Sequence, residues 1–451
     1  MTQINKPFIV AAAFNASGHT AGLLRISEHL VSRGFPVRFI VGSDFKASME
    51  KIGAEFVENP WRWESVVATK PPEAGQDWIF KHVFGDTTPI AHQILKETLE
   101  SIRREHPNRQ VIILHESMAG AVGPLVYGAP LPEGYSSLPP VINFHPSIYA
   151  TQHERIPPFG PGFRYDPTPE NLALWKTTYE AMEPAMSGVV AYYDGLYKSL
   201  GATRPVTGSS PLDVTMHLGD VNILATSPSL EYLIPVPNPK LRFIGGMPVK
   251  PLDPAYVYPD WWSTVTTNAA LSASSPDKKR VVFVTQGTVH RDYADLILPT
   301  LEALADRQDI LIIATLGARD ASLDEPTPSN ASIAEYLPYE AVLPYTDVFV
   351  SNAGYGGVMT GVMHGVPMVL AGTVADKAEV CARAEYAGVA VNLGAQRPSS
   401  ADIRAAVDAV LADDKVKRRA MELRRENEGL DALGTVERIV KELAARDGVL
   451  N

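Results

Sequence analysis

The chain opens on the apolar run Phe8-Ile9-Val10-Ala11-Ala12-Ala13-Phe14, passes through a short polar stretch containing Gly18, and then places Leu23, Leu24, Ile26, Leu30 and Val31 at helical spacing. That order predicts a buried strand, a loop and an amphipathic helix. Gly34 ends the helix, and Val37 to Val41 supplies the next continuous apolar strand, the alternation expected of a parallel α/β sheet. Further strands are predicted at Val111 to Leu114, Val141 to Phe144 and Val221 to Ala225. Residues 147 to 175 carry Pro, Gly and aromatic positions without a period, as in Ile156-Pro157-Pro158-Phe159-Gly160-Pro161-Gly162-Phe163, and read as one long functional loop.

Prolines from the run Ile234-Pro235-Val236-Pro237-Asn238-Pro239 to Pro259 then break any regular element, and the alternation restarts beyond them. Strands are predicted at Arg280 to Val284, Ile310 to Ala314, Val348 to Ser351, Met368 to Leu370 and Val389 to Leu393, and successive amphipathic helices from Ala401 onward. The expected organisation is α/β throughout: one Rossmann-like domain over 1–240, a linker over 241–265, a second domain over 266–430 and a terminal helix over 431–451.

Composition narrows what such a molecule binds. A chain of 451 residues with 45% hydrophobic and 20% charged positions has room for two cores, hence for a cleft between them. Its formal net charge of -11 and the absence of a basic stripe argue against a nucleic-acid partner. Cys381 is the single cysteine, so no intramolecular disulfide is available and a cytoplasmic setting is expected. No run approaches the roughly 18 apolar residues of a membrane span, and the first strand lacks the basic leader of an export signal.

In open parallel sheets ligands sit beyond the carboxyl ends of the strands, so the loops there carry the chemistry. His19 follows the first strand, where a neutral imidazole can take a proton from an alcohol or phenol; a helix-capping or surface histidine is the plainer alternative. Glu116, ending the strand that begins at Val111, is the candidate to hold its second nitrogen. Strand alternation sends His115 and Glu116 to opposite faces, so only one of them should reach His19. The plainer reading of Glu116 is a cap for a helix beginning near Ala119. In the second half, Val348 to Ser351 runs into Asn352-Ala353-Gly354-Tyr355-Gly356-Gly357, a glycine turn at a strand-helix junction whose amides suit a pyrophosphate.

With Tyr336-Leu337-Pro338-Tyr339 upstream and Ala371-Gly372-Thr373-Val374-Ala375-Asp376-Lys377 downstream, the stretch from Tyr336 to Leu393 resembles the donor-binding signature of the family 1 UDP-dependent glycosyltransferases, which have the GT-B fold. Bacterial and fungal glycosyltransferases of the macrolide and phenol type are similar. The resemblance extends to Gly18-His19 and to Val282 through Thr288. It implies two Rossmann-like domains facing a central cleft, with the C-terminal helices packing back on the N-terminal domain. His19 would be the general base and Glu116 its acidic partner, where many members carry aspartate. Thr285, Gly287 and Thr288 would contact phosphate and uracil, with Gly18 at the facing loop; Tyr336, beside Leu337, would stack on the base where many members have tryptophan. Gly354, Gly356 and Gly357 would cradle the diphosphate, and Asp376 would bind sugar hydroxyls.

Three positions depart from that pattern. Asn352 stands where many members have a histidine that donates to the diphosphate, Thr360 where a glutamate holds the ribose, and Lys377 where a glutamine follows the aspartate; Asn352 and Lys377 are still expected at the donor, the ammonium either pairing with Asp376 or Glu379 or contacting the sugar. Glucose is the default sugar. The implied activity is inverting transfer from a UDP-sugar to a small hydroxylated acceptor, with no cofactor and no metal, by a monomer or weak homodimer. Trp61, Trp63, Trp78, Phe80, Tyr149, Phe159 and Phe163 are candidates to wall the acceptor, although each also fits packing beneath long loops. A nucleotide-sugar epimerase and a catalytically silent helper of the same fold are the alternatives.

Overall fold

The computed structural model describes residues 6–150, 152–233, 238–288 and 290–447. Two parallel sheets organise it. The first holds seven strands in the order β3-β2-β1-β4-β5-β6-β7, formed by β1 (Phe8–Ala12), β2 (Val37–Val41), β3 (Glu55–Glu58), β4 (Val111–Glu116), β5 (Val141–His145), β6 (Val221–Leu224) and β7 (Leu241–Phe243). The second holds β8 (Arg280–Thr285), β9 (Ile310–Thr315), β10 (Ala331–Ala334), β11 (Val348–Ser351), β12 (Met368–Leu370) and β13 (Ala390–Asn392) in the order β10-β9-β8-β11-β12-β13.

The central strands form because both of their faces are covered. On β1, Ile9 and Ala11 join one apolar cluster while Phe8, Val10 and Ala12 join the cluster on the other face. The helices used below are α1 (Ser17–Ser32), α2 (Thr88–Glu105), α3 (Pro169–Ser199), α4 (Trp262–Ala270), α5 (Tyr355–His364), α6 (Lys377–Tyr386), α7 (Ser400–Ala412), α8 (Asp414–Gly429) and α9 (Ala432–Asp447). The C-terminal α9 returns to the first sheet, burying Val436, Ile439, Val440 and Leu443 in the cluster of Ile9 and Leu23. Glu437 fixes that return through His29 at 3.1 Å and Arg33 at 3.0 Å on α1.

The expected linker is shorter than 241–265. Its first residues form β7, which pairs with β6, and its last belong to α4, whose Trp262 and Val265 are buried with Val281 and Phe283 of the second unit. Ile234, Pro235, Val236 and Pro237 of the boundary run, and residues 448–451 of the terminal helix, lie outside the described residues. The long loop expected to reach 175 ends at α3: Thr168 caps it by accepting from Asn171 N, and Pro169 occupies a first-turn position, where its missing N–H costs nothing.

Candidate active site

Both sheets reverse their strand order between neighbouring strands, β1 beside β4 and β8 beside β11, and a crevice opens at the carboxyl ends of such pairs. In the first unit the pairing sets Ala12 against His115, so Glu116 lies beside the turn from β1 into α1. Its carboxylate is fully buried and accepts from Phe14 N at 3.2 Å and Met118 N at 2.9 Å. His19, in the first turn of α1, places Nδ1 3.1 Å from Glu116 Oε1. A carboxylate so supplied with donors is ionised and only accepts. Nδ1 therefore carries the imidazole proton, and Nε2 keeps the lone pair.

Burial opposes charge on Glu116, but the His19 charge and hydrogen bond and the Met118 amide outweigh it and hold its pKa below the usual carboxylate value. Burial likewise opposes charge on His19. The Glu116 carboxylate, its hydrogen bond and the charge of Asp376 prevail, and the imidazole pKa is raised above 6.5. The ring packs against Phe14 and Phe84, with centroids 5.3 Å and 5.8 Å away. His115 points to the other face, as alternation requires, and lies 3.2 Å from Asn143 Oδ1. No helix starts near Ala119; the next is Gly123–Val126, so Glu116 serves the His19 imidazole and two loop amides rather than a helix cap.

The second unit faces this pair with the glycine turn. The chain leaves β11 through Ala353, held in the left-handed region at φ 59°, and Gly354 is the N-cap of α5 without any side-chain cap. A Cβ placed on Gly18, Gly287 or Gly356 would meet nothing within 4 Å, so three of the glycines expected at the donor border open space. Gly357 is closer in, 3.6 Å from the Tyr339 ring by the same construction. Thr285 is buried and its hydroxyl accepts from Gly287 N at 3.2 Å, which shapes the loop; Thr288 is exposed beyond it. Tyr336 leaves 57% of its surface open, available as a stacking face.

Asp376 is a second residue preceded by a strained alanine, Ala375 at φ 58°. Its carboxylate accepts a hydrogen bond from Ser147 Oγ of the first unit, across the cleft. Lys377 extends from the start of α6 toward Gly354.

Several assignments change. Leu337 is 1% exposed and packs in the core, so its side chain does not border a donor. Asn352 is buried and its amide donates to Gln286 O at 2.6 Å, tying β11 to the loop after β8 rather than facing the glycine turn alone. Thr360 directs its hydroxyl to Gly356 O at 2.8 Å within α5.

Of the aromatic candidates, Phe80 and Phe159 line a cavity of mixed character together with Ile156, Met182 and Leu212 and with the polar Gln152, Glu183 and Arg383. Phe80 sits on a short π-helix, Ile79–Gly85, and its ring is 6.1 Å from Phe84, which in turn touches His19. Trp78 packs on the His82 ring at 5.0 Å and does not line that cavity. Tyr149 is buried, donating its N–H to Glu231 at 2.9 Å with its hydroxyl 3.4 Å from His217, and Phe163 lies where its carbonyl accepts from the Tyr232 hydroxyl; neither lines the cavity. Trp63 donates its indole N–H to Asn15 O at 2.9 Å, and Trp61 accepts from the Asn15 amide at 2.7 Å, so both brace the loop before α1.

Sequence reasoning missed Phe84, Ser147 and a buried clamp between the units. Arg383 of α6 meets Glu231 of the first unit at 2.7 Å and Glu379 at 3.0 Å, and lies 4.2 Å over the Tyr232 ring. The other Glu379 oxygen accepts from Gly160 N and Gly162 N, each at 2.9 Å, and so fixes the loop that carries Phe159. The Glu379–Arg383 spacing of four is visible in the sequence; the partner 152 positions away is not.

Residues 190–428 match the family model described as "UDP-glucoronosyl and UDP-glucosyl transferase". UDP-glucosyltransferase 1 of Beauveria bassiana is 40% identical, the match covering 97% of this chain and 96% of that protein. UDP-glucosyltransferase B1 of Starmerella bombicola is 31% identical, covering 98% of this chain and 100% of its own length. Among solved structures, the calicheamicin glycosyltransferase CalG4 superposes with a TM-score of 0.72 over 98% of this chain and 99% of that one, at 16% identity.

Proposed function

This chain belongs to the UDP-glucoronosyl and UDP-glucosyl transferase family, and from that premise we propose that it carries glucose from UDP-glucose, with inversion and without a metal ion, to a hydroxyl of a small aromatic or hydrophobic acceptor. The GT-B fold and glycosyl transfer from a UDP-sugar follow from membership. The epimerase alternative falls with it, and a silent helper has no need of an intact base and orienting carboxylate.

The observation that carries the mechanism is the His19–Glu116 pair, set at the mouth of the first unit with Asp376 of the second close enough to raise the His19 pKa. His19 Nε2 takes the acceptor proton as the acceptor oxygen bonds to the anomeric carbon. The bond from that carbon to the diphosphate breaks on the opposite face, its electron pair leaves on the diphosphate oxygen, and the proton passes from His19 to solvent. Glu116 holds the tautomer and stabilises the imidazolium as it forms. Amides at the uncapped start of α5 meet the charge on the leaving group, which is the argument for metal independence. Tyr336 stacks on the uracil, and Asp376 exchanges its Ser147 contact for sugar hydroxyls. The cavity of Phe80, Phe159 and Met182 takes the acceptor's apolar body. With Cys381 buried and unpaired, the reducing cytosol suits the chain.

The test is transfer from UDP-glucose to a panel of phenols and aliphatic alcohols in excess chelator, with the product's anomeric configuration read by proton NMR. β-Glucosides from the α-linked donor are expected. Products only after a divalent cation is added, or α-glucosides, would contradict the proposal.

A further inference from the structure

Resting on the donor-site reading above, we propose that Lys377 is the cation that holds the donor's diphosphate and stabilises it as it leaves, the charge that Asn352 does not supply. The lysine stem crosses Gly372, where a Cβ would lie 3.1 Å from Lys377 Cδ and where φ is 134°. Its ammonium then ends 3.8 Å from the Cβ position of Gly354, the N-cap of α5. A positive side chain and a helix N-terminus thus converge beside Gly356, where the space is open. The unit charge of the ammonium and the partial positive charge of the helix N-terminus together favour a bound anion at this point.

The one carboxylate among the described residues that acts on the ammonium is that of the adjacent Asp376. Among the described residues Lys377 forms no ion pair, and the neighbouring Asp376 carboxylate is engaged by Ser147. Burial draws the lysine pKa below its ordinary value, against the charge of Asp376. Asn352 cannot supply that charge: its amide is neutral, and one of its two N–H donors is committed to Gln286 O at 2.6 Å. When the anomeric carbon's bond to the diphosphate breaks, the electron pair settles on the outer phosphate of UDP, and an ammonium at that phosphate lowers the energy of the separating charge.

The experiment compares UDP with uridine, which differ only in the diphosphate, by calorimetric titration of the wild-type protein and of Lys377→Gln, Lys377→Arg and Asn352→His/Lys377→Gln. Lys377→Gln should weaken UDP by roughly ten- to a hundredfold, as loss of a charge-assisted contact does, and leave uridine unchanged. Lys377→Arg should keep most of the UDP affinity, and the double variant should recover part of it. A UDP-to-uridine affinity ratio unchanged in Lys377→Gln, whether both hold or both fall together, overturns the assignment. Failure of the wild-type protein to bind either ligand would instead remove the donor-site reading itself.

Discussion

Replacing Glu116 by Gln isolates the electrostatic half of the catalytic pair, because the side chain keeps its shape. The carboxylate receives donors on both oxygens, His19 Nδ1 and Met118 N on Oε1 and Phe14 N on Oε2. A glutamine NH2 must face one of those donors whichever way it is turned, so a buried hydrogen bond is lost at a cost of about 1–3 kcal/mol. If the amide oxygen stays on His19, the imidazole keeps its orientation but loses the charge that stabilises its protonated form. Burial then dominates, countered only by Asp376. Loss of a charge-assisted bond worth about 1.5–3 kcal/mol moves the His19 pKa down and, where that bond also steadies the imidazolium in the transition state, lowers kcat roughly ten- to a hundredfold. A base is active when unprotonated, so wild-type kcat/KM falls as pH drops through a value above 6.5, and in Glu116→Gln that acidic limb moves to lower pH. Initial rates against pH with UDP-glucose and a phenol measure both effects, and UDP titration checks that the donor site is undisturbed. An acidic limb that stays in place, with kcat within threefold of wild type, would refute the reasoning.

Three further outcomes follow from the packing. Arg383→Ala leaves Glu231 and Glu379 buried without their cation and should lower stability by about 3–5 kcal/mol in chemical denaturation; a loss under 1 kcal/mol would mean that water replaces the guanidinium. Burial drives His115 down to about 4 and His145 to about 3, from 6.5. The unfolded chain therefore binds protons that the folded one refuses between those values, so stability should decline as pH falls below 6.5, by up to about 3 kcal/mol from His115 alone. Thermal unfolding at pH 7, 6 and 5 checks this, and a constant midpoint would contradict it. Thr360→Glu supplies the carboxylate that a hydroxyl bound to Gly356 O cannot, and should raise the preference for UDP over dTDP about fivefold by titration; equal affinities would show that the ribose lies elsewhere.

How much was legible in the sequence depended on whether a residue's partner was local. The central strands stand out because burial on both faces makes them continuous apolar runs. The edge strands β3, β7 and β10 do not, since Glu55-Phe56-Val57-Glu58 and Ala331 to Ala334 are only partly buried. The helix α3 was hidden by Pro184 within it and by the many exposed positions of its 31 residues. His19 and Glu116 could be paired because Glu116 ends β4 and His19 follows β1, the strand beside it. Ser147 with Asp376, and Arg383 with Glu231, join positions 229 and 152 apart, and no local pattern marks them. Leu337 was misplaced for a related reason: residue type near a motif does not tell which way a side chain faces.

The central claim is that His19 removes the acceptor proton in a cleft that binds the donor independently of it. The direct measurement pairs single-turnover transfer from radiolabelled UDP-glucose with UDP titration, in wild type and His19→Ala. The account predicts a transfer rate lowered by about a hundredfold or more, with UDP affinity unchanged. Transfer to a phenol or alcohol at the wild-type rate in His19→Ala would contradict it.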